Sequence, residues 1–361
     1  MNTNRIQILH PYIEDRLNSV KQGHYPKHHL WAIDAFGNNK LVNQTSIFRK
    51  RNKIGIKLEQ FFNHFFFRGS PGLRVEFFSL LKAKEVDLIY SVCGPLALAS
   101  LYPNKLVSWV FSMPPCTGRG IKISHMAYKS FNLRANAGFL CLTQKAENFY
   151  SEFAPAKFIP WCVDLELFDG APPKMLPEKP FFLATGKTYR DYETLVKAAK
   201  KVATEIRIIG PTTQKPEDLP SNVKWIDTSS NPPDQAIDYL TLREWYAQCI
   251  AVCIPLSGDA DDTCGYTNML EAMAMRKPVM MTQSGCLHIN PETDGFGIQI
   301  KPRNALGWTQ AMHHLQQDHE KALGMGNRGR EIVERDFTIE RFNKDVLEFI
   351  ETIRKKVERR G

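Results

Sequence analysis

Residues 181–209, FFLATGKTYRDYETLVKAAKKVATEIRII, decide the fold. The apolar run 181–185 has the length and bounding glycine of a buried strand, 190–203 carries apolar residues at helical spacing, and 205–209 is a second β-rich run. A strand, a helix and a strand in that order are the repeating unit of a parallel sheet layered with helices. Outward from this unit the alternation continues. Strands are expected at 223–226, 250–254, 279–282 and 297–300, with helices near 234–249, 266–276 and 304–318, which makes a doubly wound sheet. On the N-terminal side the candidate strands are 5–10, 29–35, 87–92, 106–111 and 138–142, separated by polar amphipathic segments.

Between the two series lies FDGAPPKMLPEKP at 168–180, whose prolines and glycine suit a linker. The expected domains are 1–170, joined by a closing helix over 338–361, and 171–337. Phe342, Val346, Phe349, Ile350 and Ile353 give that closing helix an apolar stripe. A chain of 361 residues exceeds one typical core, in keeping with two domains. With 43% hydrophobic and 24% charged residues it has the composition of a globular protein. The opening MNTNRIQILHPYIEDRLNS lacks the apolar run of a signal peptide, and no stretch approaches a membrane span, so a cytoplasmic location is expected. The eight cysteines are scattered, mostly in apolar segments, and are expected to be reduced and structural. A net charge of +9 favours anionic partners: nucleotide sugars, phosphate-bearing acceptors or acidic lipid. No nucleic-acid-binding signature accompanies it, so nucleic acid is not an expected partner.

Chemistry concentrates in TCGYTNMLEAMAMRKPVMM at 263–281. A glycine turn opens a helix there, and a helix start offers unpaired N–H groups and positive dipole, a seat for a diphosphate. Gly265 would let the backbone approach a ligand. Glu271, about two turns in, could accept hydrogen bonds from ribose hydroxyls. The alternative is a buried helix with Met269, Leu270, Met273 and Met275 in the core. Lys187 and Arg190, just past Gly186 at the end of a strand, could face charge developing on a departing phosphate; otherwise they are solvated loop charges.

Four stretches in order resemble the retaining glycosyltransferases of the GT-B fold, the group 1 or family 4-like proteins that include sucrose and mannosyl transferases. WCVDLELF at 161–168 is similar to their GVDxxxF stretch, with Cys162 in place of the glycine. ATGKTYRDYETLVKAAK at 184–200 resembles their GRxxxRDYxxLxxA segment, and the 263–281 motif and DGFGIQI at 294–300 complete the set. The resemblance spans roughly residues 138–355. It implies an α/β protein of two Rossmann-like doubly wound domains facing a cleft, with the C-terminal helix returning to the N-terminal domain.

It further implies transfer of a sugar from a UDP-, GDP- or ADP-linked donor with the anomeric configuration kept, and neither metal nor cofactor. Lys187 and Arg190 would hold the diphosphate in place of a metal ion, and Glu271 the ribose. Thr267 and Asn268, with the amides of Gly265 and Tyr266, would complete the cradle; their plain alternative is N-capping. Ile226, with Trp225, lies where the family contacts the base. Thr263 stands where the family commonly carries a sugar-facing glutamate, a role left to Asp261, Asp262 or Thr263 itself. That departure supports a rival expectation, a catalytically silent nucleotide-sugar-binding or scaffold protein. Asp259-Ala260-Asp261-Asp262 resembles a metal-binding DxD motif, but its late position in a loop feeding the phosphate helix argues against metal use.

The N-terminal half offers His125 as a catalytic or sugar-contacting imidazole, with Arg119 nearby; the family's strand-end histidine position is held by Ser112 or Met113. FRKRNK at 48–53 and FFNHFFFR at 61–68 interleave basic and aromatic residues. Such a patch can dock peripherally on the inner face of an anionic membrane, or be a helix with its phenylalanines in the core. The acceptor stays open among glycolipid, polysaccharide and small metabolite.

Overall fold

A computed structural model describes residues 5–10, 13–37, 40–42, 61, 73–102, 104–111, 130–174, 177–228, 237–257, 263–284 and 287–358. The chain divides into two units, one of residues 1–21, 29–160 and 342–361, the other of 22–28 and 161–341.

The first unit runs β1 (Ile6–Leu9), α1 (Ile13–Lys21), β2 (Lys40–Val42), α2 (Leu73–Lys82), β3 (Leu88–Ser91), β4 (Leu106–Val110), β5 (Gly138–Cys141), α3 (Gln144–Tyr150) and β6 (Ala156–Phe158). Its sheet is parallel, in the order β2-β1-β3-β4-β5-β6. β3, β4 and β5 are buried throughout, as largely apolar strands covered on both faces are. Several buried polar groups inside this unit are paired. The Glu76 carboxylate accepts from the amides of Ala97 and Leu98 at 2.9 and 2.7 Å, and Ser108 donates to Asn136 at 2.9 Å.

The strand expected at 29–35 is absent. Two 3-10 turns, Lys27–Leu30 and Ile33–Phe36, stand there, and Trp31 and Ala32 between them have φ of 52° and 62°. Left-handed backbone cannot continue a strand, and costs a residue with a Cβ on the order of 1–2 kcal/mol. Burial of Leu30, Ala32 and Ile33, and the edge-on contact of Trp31 with Trp109 at 5.0 Å, offset that cost. The apolar alternation is therefore that of a coiled-up core segment, and the sheet takes its edge strand from 40–42 instead.

The second unit comprises β7 (Phe181–Thr185), α4 (Tyr192–Ala199), β8 (Glu205–Gly210), β9 (Val223–Asp227), α5 (Tyr239–Gln248), β10 (Val252–Ile254), α6 (Tyr266–Ala274), β11 (Val279–Thr282), β12 (Gly297–Ile300), α7 (Ala305–Gln317) and α8 (His319–Asp336). All pairings are parallel, in the order β12-β11-β10-β7-β8-β9. Asp191, Asp238, Asn304 and Asp318 cap α4, α5, α7 and α8, each side chain accepting from an amide three residues on. Helix α8 had no counterpart among the expected elements, because GMGNRG at 324–329 dilutes its apolar stripe. Two of those glycines serve packing: a Cβ on Gly326 would lie 2.0 Å from the Arg276 carbonyl oxygen, and one on Gly329 3.1 Å from Met273. Gly326→Ala is expected to cost about 1–3 kcal/mol in urea unfolding through overpacking; unchanged stability would mean that α8 does not approach the end of α6 this closely.

The closing helix α9 (Ile339–Glu358) carries the chain back to the first unit from residue 342 onward, as the apolar stripe suggested. Phe342 stacks on Trp109 at 5.4 Å, and Gly138 leaves just enough room for Phe349 and Ile353, each 3.0 Å from where a Cβ would stand. Among the described residues no helix is long and apolar enough to cross a membrane.

Candidate active site

The strand order of the second unit reverses between β7 and β10: the chain leaves β7 toward β8 on one side and β10 toward β11 on the other. In open α/β sheets ligands bind beyond the carboxyl ends of the strands at such a point. The loop after β7, residues 186–191, holds Lys187 and Arg190, and the loop after β10 leads into Gly265 and α6.

These two loops are stitched together. The Asp191 amide donates to the Pro255 carbonyl at 3.0 Å, that of Ser257 to the Tyr189 carbonyl at 3.0 Å, and that of Leu256 to Thr282 Oγ1 at 2.9 Å. Gly186 has φ of 137°, and a Cβ there would meet the Arg190 guanidinium at 2.4–2.5 Å, so glycine is required for the arginine to fold back over the turn. Arg190 Nε donates to the Thr185 carbonyl at 3.3 Å, Nη1 to the Thr188 carbonyl at 2.8 Å and Nη2 to Asn268 Oδ1 at 2.8 Å. A guanidinium has five N–H donors, so one on each terminal nitrogen is left for a ligand among the described residues. Arg190 and Asn268 are thus brought into direct contact.

Lys187 is half-buried with Nζ out of solvent, and its carbonyl accepts from Gln214 Nε2 at 2.6 Å. Gln214, in the 3-10 turn Thr212–Gln214 after β8, was not among the expected site residues; its signal was the Gly210-Pro211 break at the same edge of the sheet. Ile226 is half-buried on the edge strand β9, next to Trp225, which packs edge-on against Tyr192 at 5.2 Å. Gln214 Oε1, Trp225 Nε1 and Thr228 Oγ1 are buried without a hydrogen-bond partner among the described residues.

At the start of α6, Gly265 is in left-handed conformation with φ of 85°, and the helix has no side-chain N-cap. Its first-turn amides therefore rely on other partners. The space around Gly265 is taken by protein: a Cβ would lie 2.6 Å from Ile254 Cγ2, so the need for glycine is φ and packing on β10, where the sequence had suggested ligand approach. Thr263, Thr267 and Asn268 are half-buried, and the Thr263 carbonyl accepts from the Tyr266 amide at 3.1 Å. The Tyr266 ring is buried against His288 and Phe337, and its amide is held by the Thr263 carbonyl in this structure.

Glu271 lies on the inner face of α6, 2% exposed. Tyr246 donates to its Oε2 at 2.9 Å, and His28 Nε2 stands 3.6 Å from its Oε1. Burial pushes the carboxyl up to about 8, against the hydrogen bond from Tyr246, and pushes His28 down to about 3. Near neutral pH the pair meets as imidazole and carboxylic acid, with no ion pair between them. His28 and Tyr246 were not foreseen, since neither belongs to a motif and the contact joins distant parts of the chain. His125, Arg119, Ser112, Met113, Asp259, Asp261, Asp262 and the basic–aromatic segment 48–68, apart from Phe61, lie outside the described residues.

Residues 179–318 match the family model for Glycosyl transferases group 1. No curated protein matches the sequence. Many solved structures resemble the chain, among them three that span nearly all of it at low identity. A glycosyltransferase from Rickettsia africae is 14% identical with a TM-score of 0.64, covering 98% of this chain and 99% of its own. A sucrose-phosphate synthase from Thermosynechococcus elongatus is 15% identical at 0.64, covering 96% and 98%. Anabaena HepE, solved with UDP and glucose, is 13% identical at 0.64, covering 96% and 99%. These likenesses establish the GT-B fold.

Proposed function

We propose that this protein is a glycosyltransferase that moves a sugar from a nucleoside diphosphate donor to an acceptor, keeping the anomeric configuration and using no metal. The observation that carries the proposal is the Arg190 fork, folded over Gly186 and bonded to Asn268 at the head of α6. Cleavage of a sugar–phosphate bond leaves negative charge on the diphosphate, and fixed cations with a helix N-terminus stabilise that charge as a metal ion would. Lys187 and Arg190 are assigned to the diphosphate, Thr263, Thr267, Asn268 and the amides of Gly265 and Tyr266 to its cradle, and Glu271 to the ribose. In a retaining transfer the departing phosphate can take the acceptor's proton on the same face of the sugar, so a second catalytic carboxylate is not needed. The second unit is assigned to the donor and the first to the acceptor, for which a glycolipid or a polysaccharide is proposed.

UDP, which HepE binds, is the first donor nucleotide to test. In a thermal-shift screen of UDP, GDP, ADP and their sugars, the cognate nucleotide at 100 times its dissociation constant is expected to stabilise by about 2.7 kcal/mol. The absence of any shift would reject the donor site, and an inverted product anomer by proton NMR would reject retention. Thr263 in place of a glutamate supports a second reading, a silent binder of nucleotide sugars. Donor binding without transfer or donor hydrolysis, across a broad acceptor panel, would select it.

A further inference from the structure

Gln22–His28 belong to the second unit although they lie far ahead of it in sequence. Five contacts fix this segment. The Lys27 amide donates to Asp164 Oδ2 at 2.8 Å, and the Asp164 amide donates to His28 Nδ1 at 3.1 Å. Tyr25 meets Tyr239 edge-on at 5.0 Å, and the His28 ring stacks on Phe168 at 6.3 Å with Trp161 edge-on at 6.0 Å.

The consequence for His28 is a defined tautomer. Nδ1 accepts from the Asp164 amide, so the ring proton of the neutral imidazole sits on Nε2. That N–H faces Glu271 Oε1 at 3.6 Å, just outside hydrogen-bonding reach, while Tyr246 holds the other carboxyl oxygen at 2.9 Å. The two groups flank the carboxyl from α5 and from the 22–28 segment, Asn268 acts on it from its own helix, and the carboxyl is buried.

We propose that His28 is a positioning residue for Glu271: its Nε2–H, aimed by the Asp164 amide, orients the carboxylate so that it can accept from ribose hydroxyls. The inference rests on the donor site proposed above. It assigns a role in nucleotide recognition to an N-terminal residue, in the part of the chain where the acceptor is expected to bind. Once ionised, the carboxylate draws the Nε2–H into a hydrogen bond on one side and the ribose hydroxyls on the other.

The test compares UDP, GDP and ADP with the 2′-deoxy form of each by calorimetry. Wild type is expected to prefer the ribose form of its cognate nucleotide by about tenfold or more, the worth of a hydrogen bond to a charged group. His28→Phe keeps the ring packing and loses the N–H; His28→Asn keeps an acceptor for the Asp164 amide and likewise lacks the Nε2 donor. Either is expected to shrink the ribose preference to about threefold or less, while His28→Gln, with an N–H near the Nε2 position, restores part of it. A purely structural role would lower the melting temperature without moving the ribose to deoxyribose ratio. If both donor-lacking variants bind the nucleotide with an unchanged ratio, the proposal is overturned and the donor site stands. If wild type binds nucleotide without distinguishing ribose, the pairing of Glu271 with ribose fails and His28 loses its role. If wild type binds none of the nucleotides, the donor site itself is wrong.

Discussion

Arg190→Ala is expected to lower kcat by roughly 10²–10³-fold, the usual cost of removing one preorganised donor from developing negative charge. The side chain is held by three hydrogen bonds before any ligand arrives, so little reorganisation is needed when the sugar–phosphate bond breaks. A lysine there keeps the charge but lacks the planar fork that bonds Thr185, Thr188 and Asn268 together, and Arg190→Lys should recover only a small part of the loss. Gly186→Ala provides an independent check without removing a charge. Its Cβ would displace the guanidinium from a position 2.4–2.5 Å away, at a φ of 137° that alanine resists, and its loss should approach that of Arg190→Ala. Steady-state rates with a matched melting curve decide the matter. Turnover within about threefold of wild type for both variants would remove the arginine from the reaction.

Glu271→Gln is expected to make the ligand-free protein more stable at pH 8.5 and to weaken its grip on nucleotide. The folded carboxyl titrates near 8 and a solvated glutamate near 4.5, so between these values the folded state keeps a proton that the unfolded state has released. Stability from this group is therefore complete below pH 4.5 and is lost as pH rises through 8, at about 1.4 kcal/mol per pH unit. Glutamine cannot ionise and escapes this loss. The variant's advantage in urea unfolding should be small at pH 5 and on the order of 4 kcal/mol by pH 8.5. Nucleotide affinity should fall about tenfold over the same range, a trade of function for stability. A stability difference that does not change with pH would contradict the burial of this carboxyl.

The legible parts of the fold are those with simple periodicity. β7, β11 and β12 match the expected strands end to end, and α9 follows from its apolar stripe. Where the sequence misled, a local pattern served a different geometry: 29–35 alternates like a strand but turns through left-handed backbone at Trp31 and Ala32. Helix α8 was missed because its glycines, needed for close approach to Arg276 and Met273, weaken the helical signal. In the candidate site, Gly186, Lys187, Arg190 and the turn into α6 were visible as strand-end and helix-start chemistry. Tyr246 and His28 were not, because their meaning is given by Glu271, which only the folded chain brings beside them.

The inclusion of 22–28 in the second unit bears on any attempt to dissect the protein. Cutting the chain at the middle, between 160 and 161, yields a C-terminal fragment whose Trp161, Phe168 and Glu271 have lost the imidazole that covers them. Such a fragment is an incomplete folding unit, and a synthetic heptapeptide of sequence 22–28 is the piece it lacks.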